Sequence, residues 1–401
     1  MVRGSRRAAR AKAGLLEAVG AAAALSAGIV IGGTALSFAI ARKVVTPATK
    51  RLADVEILDI DRRAQTITLA RTPDTVLPGR YGLFVQGARD YLKIGSVLSE
   101  AEGSVTRKLL THVGPGQHLA AAATFSGWYF VHPDELHIPY ENVVVDAPVG
   151  PCPAWLFPAP DGGDASTWMI GVHGRGTTRS EVLRAAPVFR DAGVTSLIVS
   201  YRNDGEAGRS SSGRYGLGAT EWRDIEAAIR FARSRGAERI VLMGWSMGGA
   251  IALQTVLNTA YAHLIDSVIL ESPVVDWRTV LDFQARALRV PFPVTHIVRR
   301  QLTLPRWSRA VRSGNAISLN DLDIVSRAQE LAHPILLMHS DDDGFVPSEA
   351  SHLLAEARPD LVRLVSYSEA RHTKLWNYDE ARWRRHILAW LRDRGLGADV
   401  S

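Results

Sequence analysis

The 401-residue chain holds a single cysteine, Cys152 in "GPCPAW". No disulfide can close within it, and it offers no C-x-x-C pair for a metal or a redox couple. Cys152 is expected to pack as a small apolar residue. No internal repeat stands out. A basic body is also missing. The formal net charge is +6, yet residues 1–50 alone carry eight basic residues and one acid, so the remaining 351 residues sum to −1. With no basic stripe and no RNA-binding signature in that body, no nucleic-acid partner is expected.

Charge is absent from Ala18 to Ala41, "AVGAAAALSAGIVIGGTALSFAIA". Twenty-four uncharged residues are enough for a helix to cross a bilayer, which needs about 20. More basic residues precede the run than follow it, which places the N-terminus in the cytoplasm and the body outside. Residues 1–45 are therefore expected to be a membrane anchor, with the body extracytoplasmic. The alternative is secretion after cleavage of a signal peptide near Ala39-Ile40-Ala41.

Residues 46–137 read as short strands. "VEILDI", "TITLAR", "YGLFVQ" and "WYFVH" are rich in β-branched and aromatic residues and are separated by Gly, Pro and Asp clusters. This segment is expected to be a small β-rich accessory domain. Its histidines, His112, His118, His132 and His137, are scattered and form no catalytic group.

The pattern changes over residues 138–398. Short apolar runs alternate with amphipathic stretches: "WMIGV", "TSLIVSY", "RIVLMG", "DSVILE", "PILLMH" and "RLVSY". Near-continuous apolar strands alternating with helices predict an α/β fold, a mostly parallel sheet covered on both faces. "VVVDAPVGPCPAWLFPAP" is expected to supply opening antiparallel strands. Residues 276–328 are too long for a plain loop and read as a helical insertion, either a lid that shapes the pocket or a packing excursion.

Gly244-Trp245-Ser246-Met247-Gly248 is a G-x-S-x-G between the run "RIVLMG" and the helical "MGGAIALQTV". On such a sharp strand-to-helix turn the serine hydroxyl is lifted above the sheet edge, and small flanking residues let the chains pass closely. A serine needs a base to take its proton, and the base needs a carboxylate to hold its tautomer. On this architecture the order is Ser, acid, His. His372 follows the last strand-like run and precedes the final helix, so it is the candidate base. His333, His339, His352 and His386 lie before, at the end of, or outside the strand ends where a base is needed. Asp341, Asp342 and Asp343 share the loop after "PILLMH", and Glu271 ends the preceding run. All four are candidate acids. The oxyanion donors expected are the N–H of Met247 and, from "VHGRG", the N–H of Arg175. The Arg175 side chain is read as solvated or salt-bridged, or as a ligand for an anionic substrate.

In "VHGRG", "YRNDGEAGRS", "GWSMGG", "HSDDDGFVP" and "RHTKLW", in this order, the chain resembles the α/β-hydrolase superfamily. Within it the nearest resemblance is to members described as Bem46-like or serine aminopeptidase-like. The resemblance covers roughly residues 140–396 and implies an α/β-hydrolase fold. It places the acid at Asp343, with Ser340 and Ala370 standing where glycine is common. The expected function is a Ser246–His372–Asp343 serine hydrolase, an esterase or lipase-like enzyme acting on a small or lipidic acyl substrate. Peptidase or thioesterase activity on the same residues is the alternative. A non-catalytic binding protein on a hydrolase fold is the rival of another class. The chemistry calls for no cofactor and no metal.

Overall fold

A computed structural model describes residues 35–48, 51–85, 90–114, 116–311 and 316–397. The first described element is a helix, α1, over residues 35–45. Six strands follow: β1 (Val55–Asp61), β2 (Thr66–Ala70), β3 (Tyr81–Val85), β4 (Asp90–Glu100), β5 (Ser104–Leu109) and β6 (Ala122–Ser126). They close into a barrel in the order β1-β2-β5-β4-β3-β6, every pair antiparallel. Closure pairs every edge strand. Alternate residues point inward, among them Ile57, Ile67, Leu69, Leu83, Leu92, Ile94 and Phe125.

One charge sits inside. Arg107 on β5 is fully buried and donates to four carbonyls: Gly95 (2.9 Å), Thr75 (2.8 Å), Leu77 (2.7 Å) and Gly79 (2.9 Å). Burial pushes its pKa down to about 10. Three of these carbonyls belong to the segment between β2 and β3, so Arg107 fixes that loop.

"WYFVH" is not a strand. Residues 128–132 run without strand pairing from the barrel into the next layer. The carbonyls of Trp128 and Tyr129 accept from the Tyr91 hydroxyl instead of from a neighbouring strand. The rings of Tyr129 and Phe130 pack on Trp376. The aromatic content that mimics a strand serves a seam between two units.

The second unit holds an eight-stranded sheet: β7 (Glu141–Ala147), β8 (Gly150–Phe157), β9 (Asp164–Val172), β10 (Val194–Val199), β11 (Arg239–Trp245), β12 (Ile265–Glu271), β13 (Ile335–Ser340) and β14 (Val362–Tyr367). Their order is β14-β13-β12-β11-β9-β10-β8-β7. β7 and β8 form the expected antiparallel opening, and β9 to β14 run parallel. Nine helices complete the unit among the described residues: α2 (Ala186–Asp191), α3 (Trp222–Ser234), α4 (Met247–Asn258), α5 (Trp277–Ala287), α6 (Phe292–Thr303), α7 (Pro305–Val311), α8 (Glu349–Ala357), α9 (Leu375–Tyr378) and α10 (Glu380–Asp393).

Continuous apolar strands feed two cores. On β11, Ile240 and Leu242 join the core under α3 and α4, while Val241, Met243 and Trp245 join the one under α2 and α10. α10 answers with Trp383, Ile387, Trp390 and Leu391, one face at helical spacing. From β9 the chain moves to β10, then returns across β9 to β11. The carboxyl ends of β9 and β11 therefore flank a switch point, where such sheets bind ligands.

Residues 18–34 of the expected membrane span lie outside the described residues. Its remaining part, 35–41, belongs to α1, which is docked on the body. Ala41 and Val45 sit in the main core, Ser37 accepts from Gln301 Nε2 (2.9 Å), and Phe38 meets Trp307 edge-on. Among the described residues no helix is long and apolar enough to cross a membrane. The insertion 276–328 is helical, as α5 to α7. Asp276 caps α5 by accepting from the N–H groups of Arg278 and Thr279. Val298 and Leu302 of α6 enter the main core, which makes the insertion a packed shelf for α1.

Candidate active site

Ser246 sits where β11 turns into α4, with φ +50° and ψ −116°. A non-glycine residue held there stores strain, the signature of a nucleophile elbow. The flanking glycines are obligatory. A Cβ on Gly244 would lie 2.4 Å from the Gly248 carbonyl oxygen, and one on Gly248 would lie 2.2 Å from that of Val172.

His372 lies in the loop between β14 and α9. Its Nε2 is 3.0 Å from Ser246 Oγ, and its Nδ1 is 2.7 Å from Asp343 Oδ2. With Nδ1–H given to the carboxylate, Nε2 is left to accept the serine proton. The loop is held tightly. Ala370 N–H donates to Ser340 Oγ (2.9 Å), Arg371 N–H to Asp342 Oδ1 (3.0 Å) and Thr373 N–H to Ser272 Oγ (3.1 Å). Ser340 and Ala370, the two departures from glycine noted above, thus bond to each other. Arg371 and Thr373 on either side of the histidine both have positive φ.

Asp343 is buried. Its Oδ1 accepts from Phe345 N–H and Val346 N–H, both at 2.8 Å, and His339 Nε2 lies 3.3 Å from Oδ2. Burial alone would raise its pKa. The facing His372 and the bonds from His339 and His372 outweigh burial and hold the carboxyl well below the usual carboxylate range. The other candidate acids are engaged elsewhere. Asp341 accepts from Ser348 and meets His352, and Asp342 accepts from Ser340 Oγ and Arg371 N–H. Glu271 lies buried among Trp383 Nε1, Leu375 N–H and Arg184, and burial raises its pKa.

Met247 is the first residue of α4, so its N–H has no intrahelical acceptor. Arg175 follows the end of β9. The neighbouring Gly174 N–H is spent on Glu181 Oε2 (2.7 Å), which also accepts from Thr177 Oγ1 (2.9 Å). Glu181 thereby shapes the turn and leaves Arg175 N–H without an acceptor among the described residues. The Arg175 side chain takes neither role expected for it. It is half-buried and donates to the carbonyls of Lys43 (2.5 Å), Val44 (2.9 Å) and Thr46 (3.0 Å), closing the C-terminal end of α1. His173 of the same motif stacks on Tyr201 and bonds Asp204, which makes it part of the scaffold.

A cavity of about 310 Å³ opens over His372. Phe345 packs on the imidazole with ring centroids 5.1 Å apart. The far wall comes from the barrel and its linkers: Arg51, Asp74 and Trp128. No described residue of 276–328 lines this cavity, so the described part of the insertion is not its lid. The sequence offered no local sign of this wall, because Arg51 and Asp74 reach the site only through docking of the barrel. Among the described residues no group of three His, Cys, Asp or Glu could hold a metal ion.

A profile of the prolyl oligopeptidase family matches residues 181–395, more than half of the chain. The chain belongs to the prolyl oligopeptidase family. The matched stretch begins at Glu181 and contains Ser246, Asp343 and His372, which sit on one hydrogen-bonded line. Membership agrees with the α/β-hydrolase superfamily read from the motifs and makes the protein a hydrolase of that fold. A second profile, a domain of unknown function (DUF8805), matches residues 56–126, the span of the barrel. No curated protein matches the chain. The fold is similar to that of a Pyrococcus furiosus esterase, Pf2001, at 16% identity and a TM-score of 0.51, over 66% of this chain and 94% of the esterase. It is also similar to a puromycin-hydrolyzing peptidase from Mycobacterium tuberculosis, at 18% identity and a TM-score of 0.47, over 83% of this chain and 46% of the peptidase. At these identities the likeness is one of fold.

Proposed function

We propose that this prolyl oligopeptidase-family protein is a serine hydrolase working through an acyl-enzyme on Ser246. The observation that carries the reading is the hydrogen-bonded line from Ser246 Oγ through His372 to a buried, ionised Asp343, set on a strained elbow. Ser246 Oγ attacks the acyl carbonyl while its proton passes to His372 Nε2. Asp343 stabilises the imidazolium. The N–H groups of Met247 and Arg175 receive the oxyanion. Collapse expels the leaving group, which takes the proton from His372. Water, activated by the same histidine, then releases the acid and restores Ser246.

The substrate proposed is a small, polar acyl compound. The cavity walls carry Arg51, Asp74, Glu181 and Lys374, which do not suit a lipid chain. A carboxylic ester is the first reading, because an alkoxide leaves with less help than an amine. Cleavage of a short peptide is the second, and family membership favours it. It asks additionally that His372 protonate a leaving amine. A fluorophosphonate is expected to label the wild type and not Ser246→Ala. Turnover of p-nitrophenyl esters should fall by several powers of ten in that variant, as in other triads. A folded wild type that neither labels nor turns over esters or peptide amides would overturn the proposal. We also propose that the segment ahead of α1 tethers the enzyme to a membrane with the body outside. Protease shaving of intact cells tests this, and a body protected until lysis would refute it.

A further inference from the structure

The cavity over His372 is lined by three cations and two acids, and four of these five charges are spent within the protein. Asp74 Oδ1 is 3.1 Å from Lys374 Nζ and 3.6 Å from Arg371 Nε. Arg371 also donates to the Asp342 carbonyl. Glu181 holds Gly174 N–H and Thr177 Oγ1. The fifth is Arg51. Among the described residues it has no hydrogen bond and no ion pair.

Its position is nevertheless built. The guanidinium carbon lies 3.9 Å from the ring centroid of Phe84 on β3 and 4.0 Å from that of Trp128. The two rings stand 5.7 Å apart with their planes at 79°, an aromatic corner that holds the cation from two sides. The guanidinium N–H donors turned away from that corner make no hydrogen bond among the described residues, and a guanidinium edge can bind a carboxylate in two-pronged fashion. Burial lowers the Arg51 pKa, and nearby Glu181, whose carboxylate is already held by Gly174 and Thr177, offsets this only in part. A half-buried cation without an ion pair is costly, and an incoming anion would relieve that cost. Fixation by two rings also means that little side-chain freedom is lost on binding.

We propose that Arg51 is the substrate-anion site of this enzyme: it takes a carboxylate, or an oxyanion of like geometry, on the acyl substrate whose carbonyl is presented to Ser246. The barrel then acts as the specificity half of the active site. This rests on the serine-hydrolase reading above, and the test separates the two.

The experiment compares p-nitrophenyl hemisuccinate with p-nitrophenyl butyrate, esters of similar length that differ by a carboxylate. Wild type is expected to favour the hemisuccinate in kcat/KM. Arg51→Met should lower the hemisuccinate-to-butyrate ratio at least tenfold, and Arg51→Lys should restore part of it, since Lys keeps the charge and loses the fork. Succinate added to the wild type should slow fluorophosphonate labelling of Ser246, and that protection should vanish in Arg51→Met. A wild type that hydrolyses butyrate and shows no preference for the hemisuccinate overturns the Arg51 assignment, whether or not the variants fold. An unchanged ratio in a folded Arg51→Met protein overturns it as well and reduces the residue to a staple between rings. A wild type inert to both esters and to the probe refutes the hydrolase reading itself.

Discussion

Asp343 shows how much a single residue's surroundings decide. Three aspartates stand in a row after β13, and each meets a different partner. Only Asp343 is buried and faces His372. Asp343→Asn keeps the shape but is expected to cost about 10⁴ in kcat, by analogy with the same change in other triads. Asp341→Asn and Glu271→Gln should each cost far less, because neither side chain touches His372. The depressed pKa adds a pH signature. A carboxyl whose folded pKa lies below its unfolded value stabilises the fold fully above the unfolded value, near 4, and loses that contribution as pH falls toward the folded one. The Tm gap between wild type and Asp343→Asn should therefore shrink as pH is lowered from about 5 toward 2. A gap that widens on acidification would place the acid elsewhere.

At the scale of elements, the linear order Ser246, Asp343, His372 was legible because each residue ends a run whose apolar continuity marks a buried parallel strand. The barrel was legible only in part. β2 alternates cleanly and β1 and β3 are rich in branched and aromatic residues, but β4 and β5 were not separated from their polar surroundings. Residues 128–132 imitated a strand because seam aromatics and strand aromatics have the same composition. α1 was read as the end of a membrane span because Ser37 and Ala41 are as uncharged as the residues before them. What reassigns them is tertiary: a packed face and the three bonds from Arg175. A helix C-terminus leaves its last carbonyls unsatisfied, and a guanidinium with several donors satisfies them well. Arg175→Gln is expected to lower stability by about 2 kcal/mol or more, from the loss of charge-assisted hydrogen bonds. It should also lower kcat more than it raises KM, because the loop carrying the Arg175 N–H loses its tie. An unchanged Tm would show that α1 is held by its apolar face alone. A chain beginning after α1 should likewise be less stable, as it exposes the core around Val298 and Leu302.

At the scale of the whole molecule, the proposed active site is a joint property of two units that neither sequence segment announces. The hydrolase unit supplies Ser246, Asp343 and His372, and the barrel unit supplies the opposite wall of the cavity. The seam is narrow at Gly79, in the loop fixed by Arg107. Gly79 has φ +101°, and a Cβ there would fall 1.9 Å from the backbone oxygen of Asn377. Asn377 in turn donates to the Arg80 carbonyl (2.8 Å) and accepts from Arg184 (2.9 Å), while Arg80 pairs with Glu380. Gly79→Ala must therefore shift the barrel away from α9, where the backbone itself is the obstacle and no side chain can swing aside. The proposed triad lies on the other side of the cavity, and its own hydrogen bonds are made within the hydrolase unit, with Asp74 of the barrel pairing only with Arg371 and Lys374 beside His372. The variant is expected to keep fluorophosphonate labelling at Ser246 and to become more sensitive to proteolysis in the segments joining the two units. It should also lose the preference for the anionic ester, because Arg51 moves with the barrel. Loss of labelling together with the preference would mean that the barrel supports the catalytic line itself, and a retained preference would place the anion site outside the barrel's wall.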